Sequence, residues 1–144
     1  MFQRFLLAWD GSRAALRALD VAIDMTRRYD GELTAVSIAY TPAHAETTAD
    51  RDESFNAAVR YLETTFTEVR DRADRAGVTI THQIIDGTNP ARALLHHAHQ
   101  HSFDLIICGQ HHSQRAGRLL LHGVADDLVQ AADVPVLVIG EESA

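Results

Sequence analysis

The sequence predicts an α/β fold, an open parallel sheet covered by helices on both faces. Three observations carry it. Short apolar runs alternate with longer helical periodicities along the whole chain. The connecting stretches hold a dozen or more residues, which suits right-handed crossovers between parallel strands. Runs such as Leu105-Ile106-Ile107-Cys108 are apolar at every position, as strands buried on both sides must be. A chain of 144 residues with 46% hydrophobic and 23% charged residues forms one domain, 1–144, around one core.

Phe5 to Trp9 reads as the first strand, closed by the turn residues Asp10-Gly11-Ser12. Ser12 caps a helix in which Ala15, Ala18, Ala22, Met25 and Tyr29 recur at steps of three and four, and Asp30-Gly31 ends it. Leu33 to Ala39 is the second strand. Thr41 to Asp52 is polar, contains a proline and lacks an apolar period, so a long surface loop is expected there. Phe55, Val59, Leu62, Phe66, Val69, Ala73 and Ala76 then define the strongest helix, stopped by Gly77. Val78 to Ile85 reads as the third strand, closed by Asp86-Gly87-Thr88. Asn89 caps a short helix with Pro90 at its first position, where a missing N–H costs nothing. Leu105 to Cys108 is the fourth strand. A helix carrying Leu120, Val124, Leu128 and Ala131 precedes the last strand, Val134 to Ile139.

Composition excludes several chemistries. The thirteen basic residues are all arginine, so a Walker-type phosphate lysine, a Schiff base and a Ser–Lys dyad are ruled out. A formal charge of −7 argues against nucleic-acid partners. The single Cys108 lies in an apolar run and reads as a buried thiol of a reducing compartment. No apolar run approaches the ~18 residues of a membrane span, and residues 1–10 lack signal-peptide character. A cytoplasmic protein with no membrane contact is expected.

In open parallel sheets, ligands bind beyond the carboxyl ends of the strands. Three polar clusters fall there: Asp10-Gly11-Ser12, Asp86-Gly87-Thr88 and the segment from Gly109 to Gly123. The last leads into a helix N-terminus, where backbone N–H groups suit an anion. A plain turn is the competing reading.

The chain resembles the universal stress proteins over nearly its whole length. The resemblance rests on Leu7-Ala8-Trp9-Asp10-Gly11-Ser12, Gly87-Thr88-Asn89-Pro90, Phe103-Asp104-Leu105-Ile106-Ile107-Cys108-Gly109, Arg118-Leu119-Leu120-Leu121, Val124-Ala125 and Val134-Pro135-Val136-Leu137-Val138-Ile139. It implies a Rossmann-like sheet of five strands in the order 3-2-1-4-5 and a homodimer formed through Val136–Ile139. An uncovered apolar edge there agrees with that partner. It also implies a place for ATP, held by Gly, two residues, Gly, nine residues, then Gly followed by Ser or Thr. On this chain the three glycine places fall on Gly109, His112 and His122, and the hydroxyl place falls on Gly123. An imidazole removes the backbone freedom of glycine, and Gly123 offers no hydroxyl to a terminal phosphate. Cys108-Gly109-Gln110-His111 matches the branch of the family that does not use ATP. The resemblance also implies that Asp10 stands where members use an aspartate near the base, and Ile38 where the backbone meets adenine.

Other residues have two readings each. Trp9 either stacks on a base or fills the core, and filling is expected. Arg115 and Arg118 either meet phosphates or are solvated. His97 and His101 share a helix face at a spacing workable for a divalent metal, but no third ligand is near in sequence, and a solvated histidine face is expected with Leu94, Leu95 and Ala98 inward. His111, His112 and His122 either occupy a vestigial loop or bind anions at low pH. No nucleophile has an evident base and no hydrolase motif is present. The expected function is thus a non-enzymatic stress-response binding module with no cofactor and a degenerate nucleotide pocket. The alternatives are an adenine-nucleotide-binding member, slowly ATP-hydrolysing, with an altered phosphate loop, and a metal-responsive protein using its histidines.

Overall fold

Each apolar run pairs as a parallel strand in the computed structural model, which describes residues 1–40, 48–110 and 123–140. In chain order the elements are β1 (Arg4–Ala8), α1 (Arg13–Tyr29), β2 (Glu32–Tyr40), α2 (Thr48–Arg75), β3 (Ile80–Gly87), α3 (Pro90–Gln100), β4 (Leu105–Gly109), α4 (Val124–Ala131) and β5 (Val136–Ile139). The sheet order is β3-β2-β1-β4-β5, as the family resemblance implied. All four pairings are parallel, with Phe5 opposite both Leu33 and Leu105 in the central strands.

The pleat of β1 divides the core. Phe5, Leu7 and Trp9 join Ala15, Leu19, Phe66 and Val69 under α1 and α2. Leu6 and Ala8 join Ile38, Leu94, Ile106 and Leu128 under α3 and α4. Side chains alternate across a strand, so a run apolar throughout supplies both layers. Burying them is the main force that closes the sheet.

The caps read from sequence are formed. Ser12 Oγ accepts from Ala15 N (3.1 Å) and Asn89 Oδ1 accepts from Arg92 N (3.1 Å). Three expectations shift. First, α2 begins at Thr48 and not near Phe55, which shortens the expected loop; residues 49–54 are exposed, so this part of the helix has no apolar period to read. Residues 41–47 lie outside the described residues. Second, β3 runs through Gly87, because its last residues pair with Ala39 and Tyr40, while Val78 is buried in the core ahead of it. Third, β5 starts at Val136, and Val134 packs from the preceding turn. Leu120, expected in the fourth helix, lies outside the described residues.

The C-terminus of α3 stores a small strain. Ser102 has φ +56°, and Phe103 N donates to Ala98 O (2.9 Å) to close the helix. This left-handed place favours glycine. Ser102→Gly is expected to raise stability by about 0.5–1 kcal/mol after the added chain entropy is subtracted. A urea titration that shows equal or lower stability contradicts the reading.

Candidate functional site

The chain leaves β1 through a tight turn. Trp9 N still donates to Val36 O (3.0 Å), and the next residue turns away. Asp10 is buried, and its Oδ1 accepts from Ser12 N at 2.9 Å, which holds the turn ahead of the Ser12 cap. Gly11 has φ +82°, and a Cβ there would lie 2.9 Å from Thr65 Cγ2 and 3.4 Å from the Tyr61 hydroxyl. The α2 helix therefore leans directly on this turn. Trp9 is 2% exposed and its Nε1 donates to Thr65 Oγ1 (3.0 Å). The indole fills the core beneath α2.

On β2, Ile38 is buried against the α3–α4 layer, and Ser37 is buried on the opposite face. Ser37 Oγ donates to Trp9 O (2.8 Å) and lies 2.8 Å from His82 Nε2. With the hydroxyl proton so committed, His82 Nε2–H is the donor to Ser37. The His82 ring stacks on Phe66 at 4.1 Å between centroids. Burial, helped by Arg70, pushes this imidazole down to about 4, so it is neutral near pH 7.

Gly109 ends β4. A Cβ on it would lie 2.4 Å from the Ala14 carbonyl oxygen. Its lack of a side chain is thus required by the approach of α1, whatever the loop beyond binds. Gln110 N then donates to Ile139 O (2.8 Å). At the far end of the loop, Gly123 is the N-cap of α4 with φ +76°, and among the described residues nothing lies within 4 Å of a Cβ added to it. Among the described residues no side chain caps this helix, and Asp126 and Asp127 occupy its first turn. His111, His112, Arg115, Arg118 and His122 lie outside the described residues.

The structure accordingly brings Asp10, Ile38 and Gly109 to the carboxyl ends of β1, β2 and β4 respectively, with Gly123 at the α4 N-terminus. Ser37, His82, Thr65 and Tyr61 join this region and were not read from sequence. The period-two alternation carried a signal for two of them. Ser37 shares the face of Leu33 and Ala35, and His82 that of Ile80, so each is a polar residue aimed at an apolar layer. A concavity of about 690 Å³, lined by Thr26, Asp30, Glu32, Thr34, Val78 and Thr81, is at the amino ends of β2 and β3. That is the opposite end of the sheet from where parallel folds bind ligands.

One expectation about the histidines is overturned. His97 is 8% exposed and faces inward, with Nε2 bonded to Gln83 Oε1 at 2.6 Å. Its ring packs 4.3 Å from that of His101. The helix face is therefore partly core, because Gln83 reaches across from β3 to satisfy the ring. His99 is solvated as expected and bonds Asp133 Oδ1 at 2.6 Å. Among the described residues no three His, Cys, Asp or Glu side chains converge on a metal position. Cys108 is buried and its thiol is pushed up to about 12 by burial, so it is no nucleophile. No helix among the described residues is long and apolar enough to cross a membrane.

Comparison with known proteins places this geometry. The family model for the universal stress protein family matches residues 1–140. Universal stress protein YxiE of Bacillus subtilis is 26% identical, over 96% of this chain and 99% of that protein. The structure of universal stress protein UspA from Lactobacillus plantarum superposes with a TM-score of 0.82 at 22% identity, over 96% of this chain and 97% of that one. A universal stress protein crystallised in complex with cAMP superposes with a TM-score of 0.72 at 28% identity, over 96% and 97% of the two chains. A match of this extent, on a sheet of the same order, decides the matter: the chain belongs to the universal stress protein family.

Proposed function

We propose that this universal stress protein is a stress-response regulatory module that binds its partners without ATP and without catalysis. One observation carries the reading. Gly109 is the one glycine of the family's ATP pattern that the chain keeps in place, and the contact with Ala14 accounts for it without a ligand. His112 and His122 occupy the other glycine places, and the hydroxyl place is Gly123. Asp126 and Asp127 add negative charge in the first turn of α4, where a phosphate would approach.

A second reading is favoured by the cAMP complex of the 28% identical relative. An adenine nucleotide with a single phosphate makes no use of a loop for terminal phosphates, and Asp10 and the Ile38 backbone would meet its base. The module acts in the cytoplasm as a homodimer paired through Val136–Ile139, the strand at the β4 side of the sheet. Its four half-buried apolar residues support a second copy there.

Nucleotide released by acid from purified protein, with calorimetric titration of ATP and cAMP at pH 6 and pH 8, tests the proposal. No copurified nucleotide and no heat with millimolar ATP are expected at either pH. Binding of cAMP alone selects the second reading. ATP binding at micromolar concentration overturns both, and ATP binding confined to pH 6 assigns the phosphate site to protonated histidines.

A further inference from the structure

Two consecutive residues of β3 fasten this strand to opposite helix layers, and each fastening contains a buried or half-buried histidine. His82 on one face stacks on Phe66 of α2 and bonds Ser37 of β2. Gln83 on the other face bonds His97 of α3 at 2.6 Å. Among the described residues β3 pairs only with β2 and is an edge of the sheet, so these side-chain ties supplement a one-sided ladder. We propose that β3 is an acid-released edge, in which protonation of His82 and His97 loosens the strand from α2 and α3 while the central strands stay closed.

The charged surroundings of both rings point the same way. Facing His82 are Ser37 from β2 and, from α2, Phe66 with the Arg70 guanidinium packed 5.1 Å from the same Phe66 ring. A protonated His82 thus places a second cation against that aromatic, with its charge half removed from water. Facing His97 are His101 and His96 of its own helix, Gln83 of β3, and Phe103, whose ring also carries Arg4 at 5.2 Å. Asp86 lines the neighbouring groove with His96 and His97 but makes no bond to either ring that would hold a proton there. Among the described residues neither histidine has a carboxylate partner of the kind His99 has in Asp133.

The sign of the linkage is definite. Both imidazoles are lowered by burial first, His82 from 6.5 to about 4 with Arg70 as the second cause, and His97 with the neighbouring His101 and His96 rings as the second. A lowered histidine stabilises the closed edge fully above pH 6.5, and that stability is lost as the pH falls below 6.5, for His82 toward about 4. Each histidine changes the closed–open equilibrium by at most about tenfold per pH unit in that window. The parallel ladder between β2 and β3 and the cross-strand bond from Thr81 Oγ1 to Thr34 Oγ1 (3.1 Å) do not titrate and resist the opening.

Hydrogen exchange of the β3 amides that pair with β2, corrected for intrinsic rates, tests this at pH 7 and pH 5 with β1 and β4 amides as internal controls. Protection of β3 is expected to fall by at least about tenfold more than that of the controls. In the double variant His82→Gln and His97→Gln, where amides replace the rings without titrating, the excess fall disappears. Each single variant loses part of it, which covers the case of a poorly folding double variant. A direct reading comes from imidazole resonances of the unmodified protein, where both rings are expected to titrate below the ordinary histidine range. An excess that survives in the variants, or a fall shared equally by β1, β3 and β4, overturns the proposal.

Discussion

Replacing Gly109 by alanine is expected to lower stability by about 3 kcal/mol or more. The added Cβ meets the Ala14 carbonyl oxygen at 2.4 Å, the Ala14 carbonyl carbon at 2.5 Å and its Cβ at 2.9 Å. The first two are backbone atoms of α1 and the third is fixed to that backbone, so none can swing aside as the end of a flexible side chain could. Relief requires a shift of α1 from β4, against a core that includes Ala15, Ala18 and Leu19. Overpacking of this kind typically costs 1–3 kcal/mol, and contact with backbone sits at the upper end or beyond. Gly123→Ala is the matched control. Its φ of +76° makes alanine unfavourable, but no atom of the described residues lies within 4 Å of the added Cβ, so about 1 kcal/mol is expected. Denaturant unfolding of both variants, with and without nucleotide, separates the roles. If Gly109→Ala costs no more than Gly123→Ala, the packing account of Gly109 is wrong, and with it the principal support for an ATP-independent site.

The second large effect concerns Trp9, the single tryptophan of the chain. Trp9→Ala is expected to cost about 3–5 kcal/mol, the range for removing a buried aromatic. The cavity would open between β1 and α2, where Phe66 and Val69 pack in the same cluster. Trp9→Phe is milder. It removes the bond from Nε1 to Thr65 Oγ1, worth about 1 kcal/mol, and leaves Thr65 its own bond to Leu62 O at 2.8 Å. Urea unfolding followed by circular dichroism measures both. The intrinsic fluorescence supplies an independent reading, because a core indole emits toward the blue and does not respond directly to a bound base. Direct quenching by adenine nucleotides would return Trp9 to the crevice as a stacking platform.

Much of the fold was legible because its signals are local. The steps of three and four in Ala15 to Tyr29 and Phe55 to Ala76, the caps Ser12 and Asn89, and the stop at Gly77 each depend on residues within a few positions. They placed the strands and helices to within a few residues. The error in α2 has a physical cause. Its first turns face solvent, so the helix continues N-terminal to Phe55 on residues that show no apolar period. The end of β3 was misplaced for a similar reason, since Asp86-Gly87 has the composition of a turn but pairs with β2.

The candidate site was legible in part. Asp10 as a turn residue beyond the first strand, and Gly109 and Gly123 as the bounds of the loop, follow from the strand-to-helix pattern. The reason for Gly109 did not, because Ala14 is far away in sequence and only the packing of α1 on β4 brings them together. The inward turn of His97 was missed likewise: Gln83 lies 14 residues earlier, on another element.

The sequence by itself determined the element types, the division of apolar residues between two layers and the family. Periodicity and motif spacing are properties of neighbouring residues, and they survive without knowledge of the partners. Only the tertiary structure decided that Trp9 lies under α2, that Gly109 yields to α1, and that His82 and His97 pin the sheet edge. Each of these rests on contacts between distant segments, such as His82 with Ser37 across 45 residues. The physical reason is that close packing and buried hydrogen bonds depend on which surfaces meet, and no local pattern specifies that meeting to the ångström.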